Sequence, residues 1–274
     1  MRIPIFVYHA MRIGGVDYPT NDLVAFGSDL ESLHARGFEV LPVRELVRML
    51  LDGRLDHESR GLAGLTCDDG CDFDFEDIEH PVAGMQRSIL NRMRDFRATH
   101  PDAQVHVSDF VIVSPEAREE LDKSCMIGRG WWNDTWWKSA VETGLMDIAN
   151  HSWDHNHDAL PARFFRNGER RGTFSGIDSK SRADQQIRVA TDYLCRNAPN
   201  PGTRLFAYPY GESNDYLTKE YFPRHAQDMK IDAAFGDDPQ YLDAGSNRWR
   251  LPRFVCGRDW KSETEFEAIL DGAL

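Results

Sequence analysis

The sequence predicts an α/β fold in which a parallel sheet curls into an irregular barrel. Short apolar, β-rich runs alternate with helix-periodic stretches, and such alternation builds parallel strands joined by crossover helices. Seven or eight of these units fit into 274 residues, the number that closes a barrel. The composition, 41% hydrophobic and 28% charged, suits a chain with a substantial core.

Taken in order, the strand-like runs are residues 3–8, 38–43, 62–66, 105–113, 146–149, 204–208 and 231–235, with an eighth at 249–255. Each is rich in Ile, Val, Leu, Phe or Ala and stops at polar or turn residues. Between the first two, Leu23, Phe26, Leu30 and Leu33 recur at spacings of three and four, and Gly37 falls where a helix C-cap is expected. After the run at 105–113, Ser114 followed by Pro115 matches the preference for Ser at the N-cap and Pro at the first helical position. Ile187, Ala190 and Leu194 mark a further helix. The chain reads as one domain, 1–274, with excursions near 124–138, which holds four tryptophans, and 160–182, rich in Gly, Ser and Arg.

The formal net charge of −13 argues against a nucleic-acid binder, which needs a basic face to displace counterions, and against docking on an anionic membrane. No run approaches the apolar length that spans a bilayer. The five cysteines, Cys67, Cys71, Cys125, Cys195 and Cys256, form no Cys-x-x-Cys pair and read as free thiols of a reducing compartment. The opening MRIPIFVYH lacks a small-residue cleavage site. On that reading the protein is cytoplasmic, or extracytoplasmic if a leader has been removed.

Polar residues recur just past the ends of the strand runs. His9 follows the first, Asp68 and Asp69 the third, His151 and His155 the fifth, and Tyr210 the sixth. In a parallel barrel these ends meet at one face, where barrel enzymes keep their active sites. In NHSWDHNHD, residues 150–158, His151 and His155 are four apart. On a helical turn both imidazoles would face one way, and His157 would fall off that face, at the surface. Two imidazoles and one carboxylate make a three-ligand set for zinc or a similar divalent ion. The adjacent Asp68 and Asp69 repel each other in isolation. A cation beside them reverses that cost and lets one bind metal while the other accepts a proton. The alternatives are a solvated His-rich loop and an acidic turn serving only turn chemistry; the EF-hand calcium spacing fails here.

These segments carry a family resemblance. Tyr8-His9, TCDDG at 66–70, HSWDH at 151–155 and FAYPYG at 206–211 stand in the order found in the polysaccharide deacetylases, the NodB-like carbohydrate esterases. The Phe-x-x-Pro-Tyr-Gly form is similar to the poly-β-1,6-N-acetylglucosamine deacetylase branch. The resemblance implies a distorted (β/α) barrel of about seven strands. It implies metal-dependent hydrolysis of the acetamide of an N-acetylated sugar or glycan, with zinc the first choice of metal and cobalt, nickel or ferrous iron as alternatives. By motif position Asp69, His151 and His155 would bind the metal and Asp68 would be the base. Tyr210 would offer its backbone N–H to the oxyanion, and Ser152 would support the loop.

The sequence also departs from the pattern. Ala207 stands where an arginine usually pairs with the base, the late Leu-x-His motif is missing, and Cys67 replaces the usual Phe. After His157 the remaining histidine is His225, in a helix-like stretch. The branch resemblance makes His9 the candidate general acid, and Arg253, in LPRF, a candidate substitute for the missing arginine. WWNDTWW at 131–137 would set indoles on a helix, either in the core or stacking on sugar. Arg163, Arg166, Arg170 and Arg171 would either be solvated or meet an anionic group. Two other readings stand: a glycan-binding member that has lost hydrolysis, and an amidohydrolase of a small intracellular amide or imide.

Overall fold

The structure is a computed structural model that describes residues 2–55, 61–165 and 170–274. The strands are β1 (Ile5–Tyr8), β2 (Glu39–Val40), β3 (Leu62–Asp69), β4 (Ile78–His80), β5 (Gly84–Gln86), β6 (Val107–Val111), β7 (Met146–Asn150), β8 (Leu205–Ala207), β9 (Ala233–Phe235) and β10 (Phe254–Val255). The α-helices are α1 (Asp22–Ala35), α2 (Val43–Leu51), α3 (Ile89–Thr99), α4 (Pro115–Cys125), α5 (Trp137–Glu142), α6 (Lys180–Ala183), α7 (Val189–Asn197), α8 (Phe222–Met229) and α9 (Glu263–Ala273).

Seven strands run in the order β10-β1-β3-β6-β7-β8-β9, all parallel, with β2 pairing the first two residues of β3. A parallel bridge between Phe235 and Leu251, just before β10, brings the two edges of this sheet together. The result is the distorted (β/α) barrel that the alternation predicts. All eight expected strand runs carry a strand, most of them shorter than their apolar run. The exceptions are β7, which runs on to Asn150, and β3, which continues to Asp69 because its last residues still pair with β6. The β4–β5 hairpin was not foreseen. Its turn, EHPVAG, lacks the Asn-Gly signal of tight hairpins.

Local sequence sets the helix ends. Asn21 accepts from the backbone N–H groups of Leu23 and Val24 at the start of α1, and Gly37 adopts φ +74° just beyond its end. Ser114 caps α4, accepting from Ala117 N, with Pro115 at the first position. Strand alternation then sorts the side chains into two layers. Ile5, Phe110, Ala149, Leu205, Ala207, Ala233 and Phe235 belong to the core inside the barrel. Phe6, Tyr8, Leu65, Cys67, Val107, Val111 and Ile148 pack outward with α1, α3 and the other helices of that side. Each such fully buried aliphatic or aromatic side chain contributes ~1.5–3 kcal/mol.

Candidate active site

β3 delivers the two aspartates in different directions. Asp68 still follows the strand pleat and points into the barrel with Thr66, while Asp69 leaves the strand at φ +76°. Gly70 continues the left-handed turn at φ +72°, and a Cβ there would collide with Val111. Glycine is therefore required at the place where the chain re-aims Asp69.

Asp68 meets Arg253. The guanidinium reaches both carboxylate oxygens, at 2.8 and 2.7 Å, and is itself fully buried. Its remaining N–H groups go to Thr66 Oγ1 (3.2 Å), Gly236 O (3.0 Å) and Asp237 Oδ1 (2.8 Å). Five donors meet five bonds, as a buried guanidinium needs. Burial alone would raise the Asp68 carboxyl, but Arg253, aided by His151, outweighs it and holds Asp68 below its ordinary pKa. Arg253 thus stands where the sequence left a gap at Ala207.

The two histidines come from a loop, not the helical turn that their spacing suggested. Ser152, His155 and Asn156 all have positive φ, so the chain from 151 to 158 doubles back on itself. The Ser152 hydroxyl accepts from His155 N at 2.9 Å, and Asn150 Oδ1 accepts from Ser152 N at 2.7 Å. Gln186 and Arg171 grip Asp154, and the Asn156 amide donates to the carbonyls of Arg170 and Thr173. The excursion after residue 160 therefore buttresses this loop. Arg171 is spent on Asp154 and Arg163 on Glu120; Arg170 is exposed, and Arg166 lies outside the described residues.

The loop brings the imidazoles to Asp69. His151 Nδ1 donates to Ala207 O at 3.0 Å, which leaves Nε2 as a lone-pair donor facing the acids. From Asp69 Oδ1, His151 Nε2 is 3.7 Å away and His155 Nε2 3.6 Å. These separations are too long for hydrogen bonds. They are near the ~3.3 Å between two ligands that hold a common zinc ion tetrahedrally at ~2.0–2.1 Å. Candidate ligand atoms of Asp69, His151 and His155 all lie within 4.8 Å of one another. Burial, reinforced by the neighbouring imidazoles, pushes His155 well below its ordinary pKa and favours the neutral imidazole that metal ligation needs. The donor set fits a divalent cation.

Other groups surround this centre. His9, past the end of β1, is half-buried; burial lowers its pKa, but the fields of Asp69, Asp68, Asp22 and Asp237 outweigh that and leave it raised. Tyr210 sits at φ +61° with its ring centroid 4.4 Å from that of His155. His157, expected at the surface, lies partly buried at the rim, beside His155 and Tyr210 and 3.8 Å from Cys125 Sγ.

The tryptophan segment does not form the expected helix before Trp137, and Trp132, Trp136 and Trp137 are buried rather than open to sugar. Trp132 Nε1 donates to Asp69 O, while Trp136 Nε1 and Asn133 bond the Asp72 carboxylate, so this segment braces the aspartate turn. Asp237 was missed. It follows the end of β9, and the strand-end rule that found His9 and Tyr210 also finds it.

Residues 122–222 match a family model described as Polysaccharide deacetylase. The fold is that of the NodB-like deacetylases. A Streptococcus pyogenes deacetylase, PplD, solved in complex with acetate, superposes with a TM-score of 0.64 at 17% identity over 100% of this chain and 99% of that one. IcaB from Ammonifex degensii gives 0.63 at 17% over 99% and 97%. A de-N-acetylase from Aggregatibacter actinomycetemcomitans gives 0.63 at 14% over 98% and 100%. At these identities the likeness is one of fold. Among curated proteins the chain finds no match.

Proposed function

We propose that this chain is a metal-dependent deacetylase that hydrolyses the acetamide of an N-acetylated sugar or glycan. The observation that carries the reading is the convergence of Asp69, His151 and His155 beside an Asp68 held ionised by Arg253. Asp69, His151 and His155 would hold the cation, zinc first among candidates, with cobalt, nickel and ferrous iron compatible with the same donors. When bound, such an ion supplies Lewis acidity and lowers the pKa of water to ~7.

The chain's own groups do the rest. Asp68, kept as a carboxylate by Arg253, takes a proton from the attacking water. The Tyr210 backbone N–H steadies charge on the amide oxygen; losing one such donor typically costs ~3 kcal/mol. His9, its pKa raised by the surrounding carboxylates, protonates the departing amine. The acetate in the Streptococcus pyogenes structure is the product this reaction would release. The non-catalytic reading drew on the missing arginine and the missing late histidine, and the Arg253–Asp68 pair speaks against the first of these grounds.

The test is Asp68→Asn with acetate release measured from N-acetylated sugars and chitin oligomers. The expected result is a fall of ~10²–10⁴-fold with metal content by elemental analysis unchanged. Hydrolysis at the parent rate would remove Asp68 as the base.

A further inference from the structure

The turn that carries His9 is held by a buried carboxylate. Residues 9–12 fold back on themselves, with Arg12 N donating to His9 O at 2.8 Å. Asp22, at the first position of α1 and fully buried, takes both ends of this turn. Its Oδ2 accepts from His9 N at 2.9 Å, and its Oδ1 accepts from Arg12 Nη1 at 2.5 Å. Its own backbone N donates to Arg12 O at 3.1 Å. The anchor is itself fixed. Asn21, the residue before it, caps α1 through Leu23 N and Val24 N and donates to Gly15 O and Gln86 Oε1. Arg12 Nη2 donates to Pro19 O at 2.8 Å, and its guanidinium lies so close to Gly257 that a Cβ there would collide with it.

Among the described residues the His9 imidazole makes no hydrogen bond, whereas His151 Nδ1 is held by Ala207 O. The His9 ring therefore takes its place from the backbone beneath it. A proton donor has to come within ~2.6–3.2 Å of the atom it serves, and a displacement of ~1 Å can cost ~10²-fold in rate. A turn pinned at both ends to a helix holds a side chain more closely than a free loop does. An acid at this position suits the helix N-terminus in any case, but that role needs neither burial nor a bond to the residue after β1.

We propose that Asp22 is a positioning residue: by gripping His9 N and Arg12 together, it fixes the turn from which His9 delivers its proton to the departing amine. Proton delivery rests on the deacetylase reading; the grip on His9 does not. The test compares the parent, Asp22→Ala, His9→Ala and the double variant on a chitin oligomer and on 4-nitrophenyl acetate, whose phenolate departs without a proton. Asp22→Ala should lose about tenfold or more in kcat on the amide beyond any loss on the ester, and should cost the amide reaction nothing further once His9 is alanine. Asp22→Asn, which keeps one acceptor in place, should fall between the parent and Asp22→Ala, and stands in for the alanine variant if that one does not fold. A merely structural role would lower both substrates alike and add to the loss in His9→Ala; either result, or no loss on the amide, overturns the proposal. The imidazole cross-peak of His9 in a proton–carbon spectrum, assigned by its absence from His9→Ala, gives a reading free of activity. It should shift in Asp22→Ala, and an unmoved peak overturns the grip. A shifted peak, in a protein whose parent releases no acetate from the amide, keeps the grip and overturns the deacetylase reading instead.

Discussion

Asp68 lies on the inner side of β3, and Asp74 and Asp109 on the outer. The strand pleat separates them: Thr66 and Asp68 point into the barrel, while Cys67 points outward, opposite Asp109 in the β3–β6 register. Burial acts on both sides in the same direction. On the inner side Arg253 reverses it and keeps Asp68 charged. On the outer side the neighbours are Cys67 and Cys71, and nothing opposes burial strongly enough. Asp74 is pushed up to about 7, and Asp109, burdened further by the fields of Asp74, Asp68 and Asp69, well above its ordinary value. Both oxygens of Asp109 are buried without hydrogen-bond partners, as suits an uncharged acid. One residue type thus serves as charge or as neutral filler according to whether a cation faces it.

The comparison can be broken most forcefully at Arg253. Arg253→Met should cost ~3–5 kcal/mol in urea unfolding, because it strands Asp68 and Asp237; a loss below ~1 kcal/mol would mean that the inner side is not held by charge. Next comes His151→Ala, which should lower metal affinity by more than ~100-fold, since even loss of a supporting group around a metal costs ~10–100-fold. Dialysis followed by elemental analysis reads it, and full retention of metal would remove His151 from the ligand set. A matched pair sharpens the contrast further. Asp68→Asn should destabilise at pH 7 by ~2–3 kcal/mol and Asp109→Asn by about 1 kcal/mol or less; equal losses would erase the distinction between the two sides.

The smallest effect is a slope. The folded pKa of Asp74, about 7, lies above the ~3.9 of an unfolded aspartate. Its contribution to stability is complete below pH ~4 and is lost as pH rises through about 7. Asp74→Asn should flatten the parent's decline over that window by up to ~1 kcal/mol per pH unit. Urea midpoints measured across pH check it, and an unchanged slope would mean that Asp74 is ionised in the folded protein.

Much of this was legible in the chain. Strand runs and helix caps were, because alternation and Ser-Pro or Gly punctuation are local signals. The centre was legible in composition, since polar residues after strands must share one face of a parallel barrel. The directions of individual side chains were not. The crowding of carboxylates between residues 64 and 77 gives no hint that Asp68 is held charged while Asp74 is pushed up to about 7, because Arg253 arrives from 185 positions away. The loop carrying His151 and His155 was misread as helical. Three residues at positive φ, none of them glycine, leave no mark in a sequence. Trp132, Trp136 and Trp137 are buried, one of the two readings, but the helix expected for this stretch fails for a related reason: the indole N–H groups of Trp132 and Trp136 answer the Asp69 carbonyl and the Asp72 carboxylate, partners that no periodicity reveals.

The arginine that charges Asp68 also fixes when the centre can mature. It stands immediately before β10, which seals against β1 near the end of the chain, so the guanidinium reaches its carboxylate only once the ring of strands has shut. Contacts of such sequence separation form late, after the entropy of closing the intervening loop has been met. A nascent or truncated chain ending before β10 would carry all three candidate metal ligands and still lack the partner that aligns Asp68, so on the proposed function competence for catalysis would register the completion of folding.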